Sequence, residues 1–337
     1  MKPGKLSESV LKRSIFKQLK YKRQEVIQST GIGEDCALFS FGNELAALST
    51  SSFTVFGEEL LVPQIAAVMN NVAAAGGSPL ALLVSAILPK EIEESEIKKL
   101  AAGVEGICSH MGIQAAGGDT RISPWVTRPQ LTLTVLGKAV QERGISGEFR
   151  SGQDVVMTKA LGLLGTALLA RQKREILEKR LPSRLIDEAA GFASEVCVIP
   201  EAAIAMKSGV SGMHDVSRGG IFAALWELAE KAGVGLEIDM KRLLVRQETI
   251  EIGEVLGINP YELHGGGSLL AICDRGSDLV IQLEKENIPA VIIGRTTADK
   301  AKVLLNQEEK RYLDRPAGDY LEELLAEPIQ CSDTLVK

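Results

Sequence analysis

Gly31-Ile32-Gly33-Glu34-Asp35-Cys36-Ala37-Leu38, residues 31–38, separates two fold classes. Gly31-Ile32-Gly33 opens like a dinucleotide fingerprint, but position 36 is Cys rather than Gly. The apolar run that follows, Cys36–Phe41, reads as a strand where a Rossmann unit needs a helix, so that fold is excluded. What remains is two adjacent carboxylates between a glycine turn and a strand. A second run, Leu45–Val55, follows the Gly42-Asn43 turn and completes a hairpin.

Outward from this stretch, Leu60–Ala75 is alanine-rich and predicts a buried helix ending at Gly76-Gly77. Strands are expected at Leu80–Leu88, Ile113–Ala116 and Leu131–Val140, with a helix over Glu91–Met111. Leu131, Leu133 and Val135 alternate, the pattern of a strand with one face buried. Upstream, Leu11, Ile15 and Leu19 lie four apart among lysines and arginines, which predicts a basic amphipathic helix over Leu6–Leu19 capped by Ser7. Gln141–Gly152, with three glycines and mixed charge, marks a boundary, so we expect domains over residues 1–145 and 146–337. Beyond it, strands are expected at Asp154–Thr158, Val234–Ile238, Ser268–Cys273, Ala290–Ile293 and Val303–Leu305. Helices are expected at Gly162–Gln172, Ala202–Lys207, Gly219–Ala232 and Thr249–Leu256, and Arg171–Arg184 reads as a solvated helical face. Strands and helices mix without a strict βαβ rhythm, which favours α+β.

The 337 residues carry 38 Lys and Arg against 44 Asp and Glu, a net charge of −6 that gives no general attraction to nucleic acid or anionic membrane. No run of 18 apolar residues offers a membrane span. Cys36, Cys108, Cys197, Cys273 and Cys331 are too scattered for a zinc knuckle and fit a reducing cytoplasm. The Walker, HExxH and GxSxG patterns are absent.

The chemistry-bearing residues are acids on glycine turns. Besides Glu34-Asp35, Gly117-Gly118-Asp119-Thr120 places a carboxylate and a hydroxyl just after a strand. Met213-His214-Asp215-Val216-Ser217-Arg218-Gly219-Gly220 places an Asp before a helix with Ser217 as a natural cap. Carboxylates at element ends suit Mg²⁺ carrying phosphate oxygens, and a glycine-led helix N-terminus suits phosphate itself. Singly, each has an ordinary reading: a solvated turn, an Asx-turn, a helix cap.

In order and combination these segments resemble the superfamily of aminoimidazole ribonucleotide (AIR) synthase, thiamine-monophosphate kinase, selenophosphate synthetase and the HypE-type hydrogenase maturation factor. The GIGDDxA, TTD, ND, GGDT and DxTRGG-type elements of that group correspond to Gly31–Ala37, Ser49–Phe53, Asn70–Ala73, Gly118–Arg121 and Asp215–Gly220. The resemblance runs from about residue 4 to 295, and Met213–Glu227 and Leu256–Ile272 are most similar to the HypE branch. It implies an N-terminal domain whose strands form a barrel across a homodimer, a C-terminal α/β sandwich-type domain, and ATP in a cleft between them. It implies metal ligands at Glu34, Asp35, Asp119 and Asp215, catalytic roles for Asp119, Asp215 and Arg218, and nucleotide contacts from Lys5, Gly33, Asn70, Gly118, Thr120 and Gly219. The implied reaction is Mg²⁺- and ATP-dependent activation of a carbonyl or carbamoyl group, on a small-molecule or protein-thiol substrate with a maturation-protein partner. A non-catalytic nucleotide- or partner-binding relative is the alternative. Four elements depart from the pattern: Glu34 replaces the first Asp of GIGDD, Ser51 and Asn71 stand where the family has acids, and Gly265-Gly266-Gly267 stands for NEG. Cys331, six residues from the end, is either an acceptor thiol or incidental.

Overall fold

The computed structural model describes residues 6–29, 31–55, 61–139 and 149–315. The chain divides into two compact units, a first of Tyr21–Ile145 and a second joining Met1–Lys20 to Ser146–Lys337.

The first unit is a six-stranded sheet carrying two helices. Its strands are β1 (Val26–Gln28), β2 (Ala37–Phe41), β3 (Glu44–Thr54), β4 (Gly77–Pro89), β5 (Gln114–Ser123) and β6 (Gln130–Ala139), in the order β1-β2-β3-β6-β4-β5. All neighbours are antiparallel except β4 and β5, whose parallel pairing needs the crossover helix α2 (Glu94–His110) between them. Alternation holds on β3 and β6: Leu45, Ala47 and Phe53 with Leu131, Leu133 and Val135 are buried. Helix α1 (Leu61–Ala74) packs on β3, β4 and β6, with Ile65, Met69 and Val72 fully buried. The opposite face carries exposed Leu83, Ile87 and Leu136 on β4 and β6. Beside them runs a ladder of hydroxyl contacts, Thr50–Thr134 at 3.0 Å and Ser52–Thr132 at 2.8 Å.

One strand departs from expectation. β5 does not stop at Ala116 but continues to Ser123, so Gly118-Asp119-Thr120 lies within a strand rather than after it. A Cβ on Gly118 would sit 1.8 Å from the Val84 carbonyl oxygen, at a φ of +151°. Only glycine lets β5 approach β4 so closely and keep pairing. An exposed edge strand also lacks the alternation that would have announced it.

The second unit holds a seven-stranded sheet, in the order β13-β12-β9-β11-β7-β10-β8. The strands are β7 (Asp154–Thr158), β8 (Gly212–Val216), β9 (Gly235–Asp239), β10 (Ser268–Cys273), β11 (Ala290–Thr297), β12 (Lys302–Asn306) and β13 (Glu309–Tyr312). Its helices are α3 (Leu163–Gln172), α4 (Ser183–Gly191), α5 (Ile199–Lys207), α6 (Gly220–Ala232), α7 (Gln247–Leu256) and α8 (Gly276–Lys285). The main core places Ile221, Leu225 and Leu228 of α6 against Val155, Leu236, Leu270 and Ile293. Leu163 to Ala170 of α3 are all buried in a separate layer.

The N-terminal segment differs from the continuous helix expected. A helical turn, Glu8–Val10, passes into a π turn, Leu11–Ile15, and a 3₁₀ turn, Phe16–Gln18. Ser7 makes no side-chain cap bond. Ile15 and Leu19, expected on a buried stripe, are exposed at 40 % and 54 %. Among the described residues no single helix is long and apolar enough to cross a membrane.

Candidate functional site

In the first unit the acidic turn is tied to three elements. Gly33, with φ of +76°, makes the bend, and the Glu34 amide donates to the Gly31 carbonyl at 3.4 Å. From β1, the Gln28 side-chain amide donates to Glu34 Oε2 at 2.5 Å and to the Cys36 carbonyl at 3.2 Å. From β3, the buried Ser49 hydroxyl donates to the Asp35 carbonyl at 2.8 Å, and Asn71 of α1 donates to that same hydroxyl at 2.9 Å. The element Ser49-Thr50-Ser51 and the Asn70-Asn71 pair therefore meet behind the turn that presents Asp35. Ser51, two residues beyond Ser49, shares its face of β3. Asn70 is buried at 2 % exposure.

Asp119 and Thr120 sit apart from this knot, on the exposed edge strand opposite Ser85 and Ala86 of β4. The Asp119 carboxylate accepts from the Arg121 guanidinium, Nε at 2.9 Å. Arg121 is thus a charge partner that the motif alone did not single out. Within the first unit no group of three described His, Cys or acidic side chains converges as metal ligands would.

In the second unit Asp215 lies inside β8, opposite Leu269 of β10, and is 3 % exposed. The sequence placed it before a helix capped by Ser217. Instead, Gly219 (φ +78°) precedes α6 with no side-chain cap, and Ser217 contributes its carbonyl. That carbonyl accepts from Gly220 at 3.2 Å and from Gly265 at 3.1 Å, so the 217–220 turn and the Gly265-Gly266-Gly267 loop are stitched together. A Cβ on Gly220 would lie 2.4 Å from the Tyr261 carbonyl, and one on Gly265 2.4 Å from Val216 Cγ1. Arg218 is half-buried in the turn. In the first turn of α6 the Gly220 N–H is taken by Ser217 and the Phe222 N–H by the Tyr261 carbonyl at 3.4 Å, so what this helix end presents to an anionic oxygen is chiefly the positive end of its dipole, without a side-chain cap.

Immediately before Asp215, the buried His214 ring places Nε2 3.1 Å from Glu227 Oε2 on α6. This pair, and the Gln28 and Ser49 tethers, were not found by sequence reasoning because each joins elements distant in sequence. The 13-residue separation of His214 and Glu227 matches no local periodicity. Lys5 and Cys331 lie outside the described residues.

Comparison with known proteins follows the same division of the chain. Residues 33–139 match the N-terminal domain of AIR synthase related proteins, and residues 150–305 match the C-terminal domain of that family. The carbamoyl dehydratase HypE of Cupriavidus necator is 28 % identical over 208 residues, 61 % of this chain and 57 % of that protein. Among solved structures, one of a HypE–HypF complex superposes with a TM-score of 0.70 at 21 % identity, covering 85 % of this chain and 94 % of that one. A hydrogenase maturation protein HypE in complex with ATP gives 0.64 at 17 % identity, covering 91 % and 93 %. Likeness at these identities shows a shared fold. With both halves matched, in order and over most of its length, this chain belongs to the AIR synthase related proteins.

Proposed function

We propose that this protein is an ATP-using enzyme of the HypE-like branch, acting in hydrogenase or related metallocofactor maturation. The observation that carries this reading is the uncapped N-terminus of α6, with glycines at 219, 220 and 265–267 around it and Asp215 at the end of β8. These residues fit a nucleotide. Glycine at 220 and 265 packs the 217–220 turn closely against Tyr261 and Val216, which fixes the start of α6, and the positive end of its dipole suits phosphate oxygens. Arg218 neutralises charge that builds on a transferring phosphoryl group. In this reading Glu34, Asp35 and Asp215 would be oxygen donors for Mg²⁺, with Asp119 joining them on release from Arg121, and the ion would supply charge neutralisation of the phosphates. Gly33, Asn70, Gly118, Thr120 and Gly219 shape the nucleotide contacts, and Lys5 adds a cation from the N-terminal segment.

The acceptor is a carbamoyl-type group, on a small molecule or a protein thiol. Its oxygen attacks the terminal phosphorus and the bond to ADP breaks. One N–H proton is released as the O-phosphorylated imidate forms, and loss of phosphate with the second N–H proton then leaves a nitrile. The relatives named carbamoyl dehydratase and the HypE–HypF assembly support this chemistry and a maturation-protein partner. The exposed face of the first unit's sheet is the surface through which two copies close a barrel. Titration with ATP and Mg²⁺, followed by calorimetry and phosphate release, tests the reading.

A second reading has its own observation. The Asn71 amide is engaged by Ser49, where the family resemblance calls for a carboxylate at position 71. With Ser51 also neutral, the cation site loses two charges, and the protein becomes a nucleotide-binding module without turnover. Binding of MgATP with no phosphate release in the presence of acceptor would favour this reading. Release by the unaltered protein would exclude it.

A further inference from the structure

The N-terminal segment presents an unusual surface for an acidic protein. Between Leu11 and Lys20 it carries Lys12, Arg13, Lys17 and Lys20 and no acid. Ile15 and Leu19, one helical turn apart, are exposed beside these cations. Lys12 is paired to Glu8, whereas Arg13, Lys17 and Lys20 have no ion-pair partner among the described residues. A basic strip with an apolar centre is complementary to an acidic segment with an apolar stripe.

The chain holds such a segment. Residues 316–337 follow the last described residue, Arg315. They include Asp319, Glu322, Glu323 and Glu327, and no Lys or Arg before Lys337. Leu321, Leu324 and Leu325 fall at i, i+3 and i+4, the spacing of one helix face. The point of departure settles the distance. Arg315 Nε lies 3.4 Å from Glu8 Oε2, the same carboxylate that accepts from Trp226 Nε1 at 3.0 Å and from Lys12. Asp319 is four residue steps beyond Arg315, a reach of at most about 14 Å even when fully extended. The described chain therefore ends at Arg315 against Glu8, the residue that also pairs with Lys12 of the basic strip.

We propose that Leu11–Lys20 is the docking site for the chain's own residues 319–327, with Leu321, Leu324 and Leu325 covering Ile15 and Leu19 and the acids facing Arg13, Lys17 and Lys20. This inference is independent of the nucleotide chemistry.

The test uses the full chain. A zero-length carbodiimide cross-linker is applied to an equal mixture of ¹⁴N- and ¹⁵N-labelled protein, and linked peptides are read by mass spectrometry. The expected result is links from Lys17 or Lys20 to Glu322, Glu323 or Glu327, each peptide pair carrying a single label. Glu322→Lys with Glu323→Lys should reduce them at least about fivefold, and adding Lys17→Glu with Lys20→Glu should restore links with the charges exchanged. Pairs of mixed label would assign the occupant to a second copy and overturn the proposal. So would absence of these links, or links indifferent to charge reversal. Backbone hydrogen exchange of residues 11–20 gives a second readout. Removal of residues 316–337 should speed it by roughly threefold to tenfold, and an unchanged rate would count against docking.

Discussion

Glu8 is a buried carboxylate held by opposing influences. Burial pushes its pKa up, but hydrogen bonds from Lys12 and Trp226 and the charges of Lys12 and Arg315 outweigh this, leaving it below its ordinary value. A carboxylate so lowered adds stability that is fully present above the unfolded-state pKa and is lost as pH falls through the folded-state value. Trp226 reports on it directly through the indole N–H bond. In a Trp125→Phe background, which removes the other and highly exposed tryptophan, acidification should shift Trp226 emission with a midpoint below the ordinary glutamate range. Glu8→Gln should abolish that step, and an identical titration in both proteins would show that Glu8 does not govern the contact. Burial also acts on three cysteines, pushing Cys273 up to about 11 and raising Cys108 and Cys197, which keeps these groups as thiols. At this scale the acids themselves, Glu34, Asp35, Asp119 and Asp215, were legible in the sequence because glycine turns flag them. Their partners Gln28, Ser49 and Arg121, and the His214–Glu227 pair beside Asp215, were not, since three of these four pairings cross elements and depend on the finished fold.

At the scale of elements, the turn between β8 and α6 depends on Gly220 for two separate reasons. Its φ is +66°, and a Cβ would press on the carbonyls of Tyr261 and Leu263. Gly42, in the β2–β3 turn, shares the positive φ but has nothing within 4 Å of a Cβ. Gly42→Ala should therefore cost about 1 kcal/mol, and Gly220→Ala about 2–4 kcal/mol through added overpacking, as measured by urea denaturation. Equal costs would mean that the 261–263 segment yields freely and the cradle is not rigid. The hairpin β2–β3, α1 and β6 were readable because alternation and alanine-rich burial are local patterns. β8 was not, because its five residues are buried on both faces and show no alternation. β5 was read short because its glycines look like a turn until β4 lies beside them.

At the scale of the molecule, the two units use their sheets differently. Both faces of the second unit's sheet support helices, whereas the first unit leaves Leu83, Ile87 and Leu136 exposed on one face. If that face joins two copies, Leu83→Asp should shift the sedimenting species from dimer to monomer at micromolar concentration while each unit stays folded. A wild-type protein already monomeric under those conditions would rule out the barrel. The central claim concerns the nucleotide, and calorimetric titration of the full chain with ATP, with and without Mg²⁺, tests it most directly. Saturable heat that depends on Mg²⁺ is the expected result. In Asp215→Asn it should weaken at least about tenfold, or roughly 1.4 kcal/mol. No heat in either condition, from protein shown to be folded, would contradict the assignment of ATP to this site.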